Sequence, residues 1–492
     1  MSTEPRSTET PGVDTRSTEA VGVDTDPREL GATHLIGIGG AGMSAVARLL
    51  LAHGVSVSGS DAQESRGLEP LRGLGAAVSI GQAAENLGEA RTVVVSTAIR
   101  EQNPELAEAR ARGLRVVHRS EALAVSMHGS KVVAVAGTHG KTTTSSMAAV
   151  ALDFAGAAPS WAIGAHVDDL GTNAHLGTGQ WFVAEADESD GSFLNYAPSI
   201  AVVTNIEADH LDHYGSEEAF IRAFEDFAGT LRPGGTLVAC QDDPGSRRLV
   251  EAARRRGVRV LTYGTEASSD ILLGEIRTEG IGATATLSLG EGADHRTHRM
   301  RLAVPGEHNV LNAAAAFAVT QIAGIPAEDA LRGLAEFHGS DRRFDLKGEA
   351  AGVRVVDDYA HHPTEVRAAL TAARRVAEGH RVLVLFQPHL FSRTRSFAAE
   401  FGAALELADR AWVLPIFAAR EDPLPGVSAE LIVDAADDRV LSAPDGQAAV
   451  ERIAAEAQPG DLVLTVGAGD ITTFGARLLA ALETRGAAGA PV

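Results

Sequence analysis

Residues 131–144 read KVVAVAGTHGKTTT, an apolar run that breaks into glycines and then into a lysine followed by threonines. That order describes a buried strand over 131–136, a turn from Gly137 to Gly140 and a helix over 141–156. Glycines without side chains let backbone N–H groups converge on phosphate oxygens, and the helix aims its positive end at the same anion. Gly137, Thr138, His139, Gly140, Lys141, Thr142 and Thr143 are therefore the candidate nucleotide contacts. Lys141, expected as an exposed loop lysine, neutralises the β- and γ-phosphates, and the Thr142 hydroxyl ligates a bridging magnesium ion. The expected ligand is ATP or GTP. Val135 stands where the general G-x-x-x-x-G-K-[ST] pattern has its first glycine, so this is a shorter loop, G-T-x-G-K-T.

Upstream, HLIGIGGAGMSAVARLLLAHGVSVSGSD at 34–61 reads strand, glycine turn, helix, strand. Gly37, Gly39 and Gly42 have dinucleotide-binding spacing, with Gly40 between them. Asp61, beside Ser60, falls 19 residues beyond Gly42, where a ribose-binding acid is expected. A pyrophosphate loop of this kind suits UDP as well as NAD. Further strands are expected near 92–96 and 115–118, with a helix at about 104–112.

Downstream, WFVAEADESD at 181–190 and IAVVTNIEADHLD at 200–212 are apolar runs that end in polar clusters. Both clusters fall at the carboxyl ends of parallel strands, the edge at which open α/β sheets bind ligands. With Thr142, Glu185 and His210 offer magnesium a hydroxyl, a carboxylate and an imidazole. Acidic loops also simply solvate strand ends, but here two of them flank one phosphate loop. A helix at 216–228, a Gly- and Thr-rich β segment near 270–304, a helix opened by GEHNVLNAAAA and an amphipathic stretch at 326–337 follow. His308 and Asn309 lie at the start of that helix, where Asn309 also reads as an N-cap. From His338 the pattern alternates strand and helix again, with strands at 353–357, 381–386, 411–414 and 461–466 and helices at 363–377 and 395–406. Its polar clusters are DDYAHHPTE and FQPHLFSRTR, and Arg343 could reach a γ-phosphate if this region closed over the central one.

At 492 residues the chain is long enough for about three domains. The fold class expected is α/β in three parts: a Rossmann-like domain at 31–128, a phosphate-loop domain with a mostly parallel sheet at 129–337, and a second Rossmann-like domain at 338–492. Residues 6–15, RSTETPGVDT, recur almost unchanged at 16–25; this polar tandem cannot offset its ordering entropy, so 1–30 is expected to be a disordered tail. Forty-three basic against 65 acidic residues, a net charge of −22, argue against wrapping nucleic acid or anionic lipid. The single cysteine, Cys240, excludes an intramolecular disulfide, and no apolar run reaches the length of a membrane span, so a cytoplasmic protein without membrane insertion is expected.

In the order GIGGAGMS, GTHGKTTT, EADESD, TNIEADH, GEHN, DDYAHHPTE and FQPH, from about residue 33 to the C-terminus, the sequence resembles the Mur ligases; the short loop form is also similar to that of folylpolyglutamate synthetases. Within the family it is most similar to the branch that adds the first amino acid of peptidoglycan. The resemblance implies that the first domain holds the UDP of UDP-N-acetylmuramate through Gly37, Gly39, Gly40, Gly42, Ser60 and Asp61, and that the second holds ATP and Mg2+. It implies Lys141 and Thr142 on phosphate and metal, Glu185 and His210 on magnesium, and His308 or Asn309 near the adenine. In the third domain it implies Arg343 near phosphate, Asp358 with the nucleotide, Tyr359 and His361 near the reacting groups, and His389 and Arg393 with His361 around L-alanine. Lys141, His210, Arg343 and His361 are the expected catalytic set, in a monomer or weak homodimer.

Three positions depart from the family pattern. Leu390 follows the PH of FQPH where relatives often have arginine, Gln82 follows Gly81 where many have histidine, and Phe224 lies about where later Mur ligases carry a carbamylated lysine. Rival readings are a relative that ligates recycled tripeptide to the same sugar nucleotide, an NAD-dependent dehydrogenase, and a nucleotide sensor.

Overall fold

The structure, a computed structural model, describes residues 21–65, 67–290, 295–419 and 421–489. Three sheets follow one another along the chain. In the first, β1 (Thr33–Ile36), β2 (Val57–Asp61), β3 (Ala77–Ile80), β4 (Thr92–Val95) and β5 (Arg115–His118) are all parallel, in the order β3-β2-β1-β4-β5. The order reverses between β1 and β4, directly below the glycine turn that feeds helix Ala41–Ala52, which is where such sheets bind ligands.

The second sheet has ten strands: β6 (Lys131–Ala136), β7 (Ser160–Ala162), β8 (Ala174–His175), β9 (Trp181–Glu185), β10 (Ile200–Val203), β11 (Thr236–Cys240), β12 (Arg259–Gly264), β13 (Ile271–Glu279), β14 (Gly282–Leu289) and β15 (Arg296–Leu302). Their order is β15-β14-β13-β12-β11-β10-β6-β9-β7-β8, antiparallel only at β13–β14–β15 and at β8. Strand β6 is buried along all but its first residue and lies between β10 and β9, with Val135 opposite both Val202 and Glu185. The register therefore delivers the phosphate loop between the two acidic clusters. In the third sheet, β16 (Asp345–Ala350) pairs antiparallel with β17 (Val353–Asp358), and β18 (Val382–Phe386), β19 (Arg410–Val413), β20 (Val440–Ser442) and β21 (Leu462–Val466) complete the order β16-β17-β21-β18-β19-β20. Apolar helices such as Glu307–Ile322, whose buried face runs from Val310 to Val319, close the layers over the sheets.

Two expectations are corrected. Residues 1–20 lie outside the described residues, but 21–30 are part of the fold: Val23 and Leu30 sit in the first core, Pro27–Leu30 forms a short helix, the Thr92 hydroxyl donates to Leu30 O at 2.7 Å and Arg232 pairs with Asp24 at 3.1 Å. Apolar residues at 23 and 30 outweigh the polar composition around them. The helix expected at 395–406 starts at Phe391, a turn earlier, which puts Arg393 inside a helix and buries it.

Candidate active site

The phosphate loop is held from behind by the end of β10. Asn205 accepts from the His139 backbone N–H at 2.8 Å and donates to its carbonyl at 3.0 Å. Gly137 and Gly140 have φ of +135° and +82°, and a Cβ would come within 2.0 Å of Thr204 Oγ1 at the first and 2.6 Å of Asn312 Oδ1 at the second, so neither position tolerates a side chain. Helix Lys141–Phe154 begins there with its free N–H groups facing the loop.

Lys141 is less exposed than its loop position suggests. Its ammonium donates to Gly137 O (2.7 Å), Thr138 O (3.1 Å) and Glu188 Oε1 (2.8 Å). Burial alone would lower its pKa; the Glu188 carboxylate more than offsets this and holds the ammonium above its usual range. Burial pushes Glu188 up to about 7, with Lys141 pulling it back. Glu188 Oε2 is buried and has no hydrogen-bond partner among the described residues. Thr142 Oγ1 donates to Glu185 Oε1 at 3.0 Å, and Glu185 Oε2 accepts from Gly164 N at 2.7 Å.

His210, in a left-handed conformation with φ of +53°, lies 3.7 Å from Glu188 Oε1 and from Asp209 Oδ2, and burial lowers its pKa to about 4. Its Nδ1 is buried without a partner among the described residues. The Thr142 hydroxyl and the Glu185 carboxylate, in contact with each other, are donors that suit a hard divalent cation such as magnesium, and His210 is tied to the loop through Glu188, which it shares with Lys141. Glu188, which meets both Lys141 and His210, was not singled out from sequence, although it stands inside the EADESD cluster.

From the third sheet, a turn with positive φ at Arg342 (+62°) and Phe344 (+52°) presents Arg343, whose Nη2 donates to Thr142 Oγ1 at 3.2 Å. Both arginines lie 4.9 Å from the centroid of Tyr359, while Arg342 is also tied to Asp357 at 3.0 Å. Asp358 accepts from the backbone of Phe344 and Ala360, each at 2.8 Å, and burial raises it to about 6. A cavity of about 250 Å³ runs from the loop between the second and third sheets; Thr143, His308, Asn309, Arg343 and Asp358 line it with Tyr263 and Phe337. Burial lowers His308 to about 4. Asn309 is not the N-cap: Gly306 caps the helix, and Asn309 binds Pro305 O (2.7 Å) and accepts from Asn312 (3.1 Å).

His361 and His389 face each other with ring centroids 5.8 Å apart. Arg393, expected to be available for a carboxylate, is buried and already occupied: its Nη2 donates to both oxygens of Asp209, at 3.1 and 3.0 Å, and its Nη1 is 3.3 Å from His389 Nδ1. Arg393 holds Asp209 well below the usual carboxylate range against the effect of burial. Leu390, with φ of +72°, caps this helix and is buried.

At the first sheet, Gly37 has φ of +78° and the Gly39 N–H donates to Asp61 Oδ2 at 2.9 Å. Gly40 caps helix Ala41–Ala52, and a Cβ on Gly42 would meet Arg119 Nη1 at 2.2 Å. Arg119 reaches from this glycine turn to Asp187 of the EADESD cluster at 3.1 Å; nothing in its local sequence announces that bridge. Ser60 meets the turn through its carbonyl, which accepts from Gly37 N at 2.8 Å, while its hydroxyl is buried and donates to Glu105 Oε2 at 2.6 Å. Gln82 accepts from Asn103 at 2.7 Å.

One further cluster joins the domains. His139 Nε2 is 2.9 Å from Glu207 Oε2 and its Nδ1 is 3.1 Å from Glu365 Oε1, with the His362 ring 4.7 Å away. One nitrogen or oxygen from each of His139, Glu207 and His362 falls within 4.8 Å of the others, close enough to hold a metal, but both His139 nitrogens already face carboxylates, so a proton meets the charge there. Burial opposes that charge, yet Glu207 and Glu365 outweigh it and raise His139 to about 9.

A phosphate loop flanked by paired acidic clusters, with a third-sheet arginine on the loop's own threonine, defines a multidomain phosphate-loop protein whose site is completed by closure. The models for the Mur ligase family catalytic domain, the Mur ligase middle domain and the Mur ligase glutamate ligase domain match residues 32–131, 135–320 and 342–469. UDP-N-acetylmuramate–L-alanine ligases of Renibacterium salmoninarum and Kineococcus radiotolerans are each 58% identical over 93% of this chain and 97% of their own. The chain belongs to the Mur ligase family. Among solved structures, a UDP-N-acetylmuramate-alanine ligase from Thermotoga maritima matches with a TM-score of 0.77 at 29% identity, covering 92% of this chain and 99% of its own. A murein peptide ligase from Psychrobacter arcticus matches with a TM-score of 0.68 at 26% identity, covering 92% and 98%.

Proposed function

We propose that the protein joins L-alanine to the lactyl carboxylate of UDP-N-acetylmuramate with cleavage of ATP to ADP and phosphate, a cytoplasmic step of peptidoglycan synthesis. The observation that carries this reading is the contact of Arg343 with Thr142, because it makes the phosphate site a joint product of the central and third domains. Identity of 58% to L-alanine ligases over nearly the whole chain supports the substrate assignment.

A carboxylate is a poor electrophile, so its oxygen first attacks the γ-phosphorus; the bond to the bridging oxygen breaks and ADP leaves, giving an acyl phosphate. The uncharged amine of alanine then attacks the acyl carbon, the C–O bond to phosphate breaks, and the amine loses a proton. Lys141 and Arg343 stand where charge develops on the transferred phosphoryl group, and the contribution is positioning and electrostatics. Magnesium, when bound, neutralises phosphate charge; Thr142 and Glu185 would hold it, with His210 kept neutral by burial. The glycine turn at 37–42 with Arg119 receives the sugar nucleotide's pyrophosphate, and His361 with His389 orients the amine. Contacts across the closed cleft exclude water, which would hydrolyse the acyl phosphate.

The test is phosphate release with ATP, magnesium, UDP-N-acetylmuramate and, in turn, alanine, serine, glycine or a recycled tripeptide. Release that requires every component and is fastest with alanine is the expected result. Release independent of the sugar nucleotide, or a nicotinamide absorbance change with NAD, overturns the reading.

A further inference from the structure

Glu365 has two jobs at once. It is the third residue of helix Pro363–Val376, and its Oε2 accepts from the backbone N–H groups of His361 (2.9 Å) and His362 (3.3 Å), closing a capping box. An ordinary capping box asks nothing more of the glutamate. Here Oε1 crosses to the central domain and meets His139 Nδ1 at 3.1 Å. The other His139 nitrogen meets Glu207, whose two oxygens accept the Thr364 hydroxyl, each at 2.8 Å. The contacts form a closed circuit: phosphate loop, Glu365, the start of the third-domain helix, Thr364, Glu207, and back to the loop. Glu365 and His139 are mostly buried, at 14% and 13% exposed, so their pairing is poorly screened by water.

We propose that His139 and Glu365 are positioning residues that make one event of two: the shaping of the phosphate loop and the seating of His361. The backbone of His361 hangs on one oxygen of Glu365, and the other oxygen is fixed by the loop that receives the nucleotide. The amine-orienting side of the site is therefore aligned only when the third domain meets a correctly formed loop. A ligase that forms a water-sensitive acyl phosphate gains from this order, because phosphoryl transfer and amine capture then share one closed geometry. The inference rests on the ligase reading for its consequence, although the circuit itself does not.

Glu365→Gln keeps the capping acceptor and the volume but removes the charge that faces both His139 and, at 3.1 Å, His361 Nδ1, so the comparison with His139→Ala and the double variant isolates the cross-domain part. With alanine varied, this variant is expected to lose about tenfold or more in kcat/KM for alanine while the KM for ATP moves by less than about threefold, and Glu365→Gln combined with His139→Ala should lose no more than the worse single variant. Thr364→Val, which opens the circuit on its other side without touching the cap, should show the same split in weaker form. Hydrogen exchange on the free protein gives a readout that needs no turnover: Glu365→Gln should speed exchange at 137–141, in the other domain, and His139→Ala should speed it at 360–366. Additive losses in the double variant, equal effects on ATP and alanine, or unchanged exchange across the domain boundary overturn the proposal. If the wild type shows no alanine-dependent phosphate release, the function reading fails, and the exchange experiment still decides whether the two sites are mechanically joined.

Discussion

At the scale of single residues, the contact between Lys141 and Glu188 changes what a lysine deletion should do. An exposed loop lysine could be removed without structural cost, but this ammonium is the partner of a carboxylate that is 1% exposed. Lys141→Ala should lower kcat by about 10²-fold or more, the scale for removing a group that faces developing charge. It should also destabilise the protein, because breaking a buried pair by removing one member costs about 3–5 kcal/mol where the remaining charge cannot escape; protonation of Glu188 reduces that cost. Denaturant titration of Lys141→Ala against Lys141→Ala/Glu188→Gln checks this: the double variant should regain stability and remain inactive. Equal stability of the two would show that Glu188 does not depend on the lysine. Arg393 poses the opposite question. Its Nη2 is engaged by both oxygens of Asp209 of the central domain, next to His210, so Arg393→Ala should raise the KM for ATP and for alanine together, whereas a selective rise for alanine would restore the carboxylate role expected from the sequence.

At the scale of elements, the strand at 131–136 and the glycine turn after it were legible because an apolar run, two glycines and a lysine leave few other conformations. The alternation of the third domain was legible for the same reason. What could not be read depends on pairing between distant segments. Ser60 lies at the carboxyl end of its strand beside the glycine turn, as a ligand contact would, yet its hydroxyl's partner Glu105 comes from a helix 45 residues away. The start of helix Phe391–Leu405 depends on a positive φ at Leu390, which no local pattern requires of a leucine. The N-terminal segment failed because composition was averaged over a repeat whose second copy ends in residues that pack. Two truncations separate these effects. Removal of residues 1–20 should leave the thermal midpoint essentially unchanged, whereas removal of 1–30 exposes the sites of Val23 and Leu30 and should cost about 3–6 kcal/mol, on the basis of about 1.5–3 kcal/mol per buried aliphatic side chain. A midpoint unaffected by the longer deletion would mean that the docking of 21–30 adds nothing to stability.

At the scale of the whole molecule, the polar contacts of the third domain with the second include Arg343 to Thr142, Arg393 to Asp209, Thr364 to Glu207, Arg375 to Glu307, His338 to Asp169 and His139 to Glu365. Two of these hold an imidazole above its ordinary range: His338, largely exposed and therefore screened by water, and the better-buried His139. Its pKa is raised to about 9, so the stabilisation it supplies is complete below its ordinary value near 6.5 and is lost as pH climbs through about 9. Asp358, raised to about 6, has given up most of its contribution by pH 7; Glu188, raised to about 7, gives up the remainder of its own as pH passes from 7 to about 8; His210 and His362, lowered to about 4, matter only on the acid side. Between pH 7 and 9 the native protein should therefore lose stability, by at most about 3 kcal/mol for a single group shifted by this much. Urea denaturation at pH 7.0, 8.0 and 9.0 measures it, and His139→Gln should flatten the curve over this window. Small-angle scattering of the free protein over the same range adds the domain-level reading: the radius of gyration should grow with pH in the wild type and start from a larger, pH-independent value in His139→Gln. A wild type whose stability and dimensions stay constant from pH 7 to 9 would mean that the imidazole carries no charge between Glu207 and Glu365, and that the other interdomain contacts hold the third domain in place.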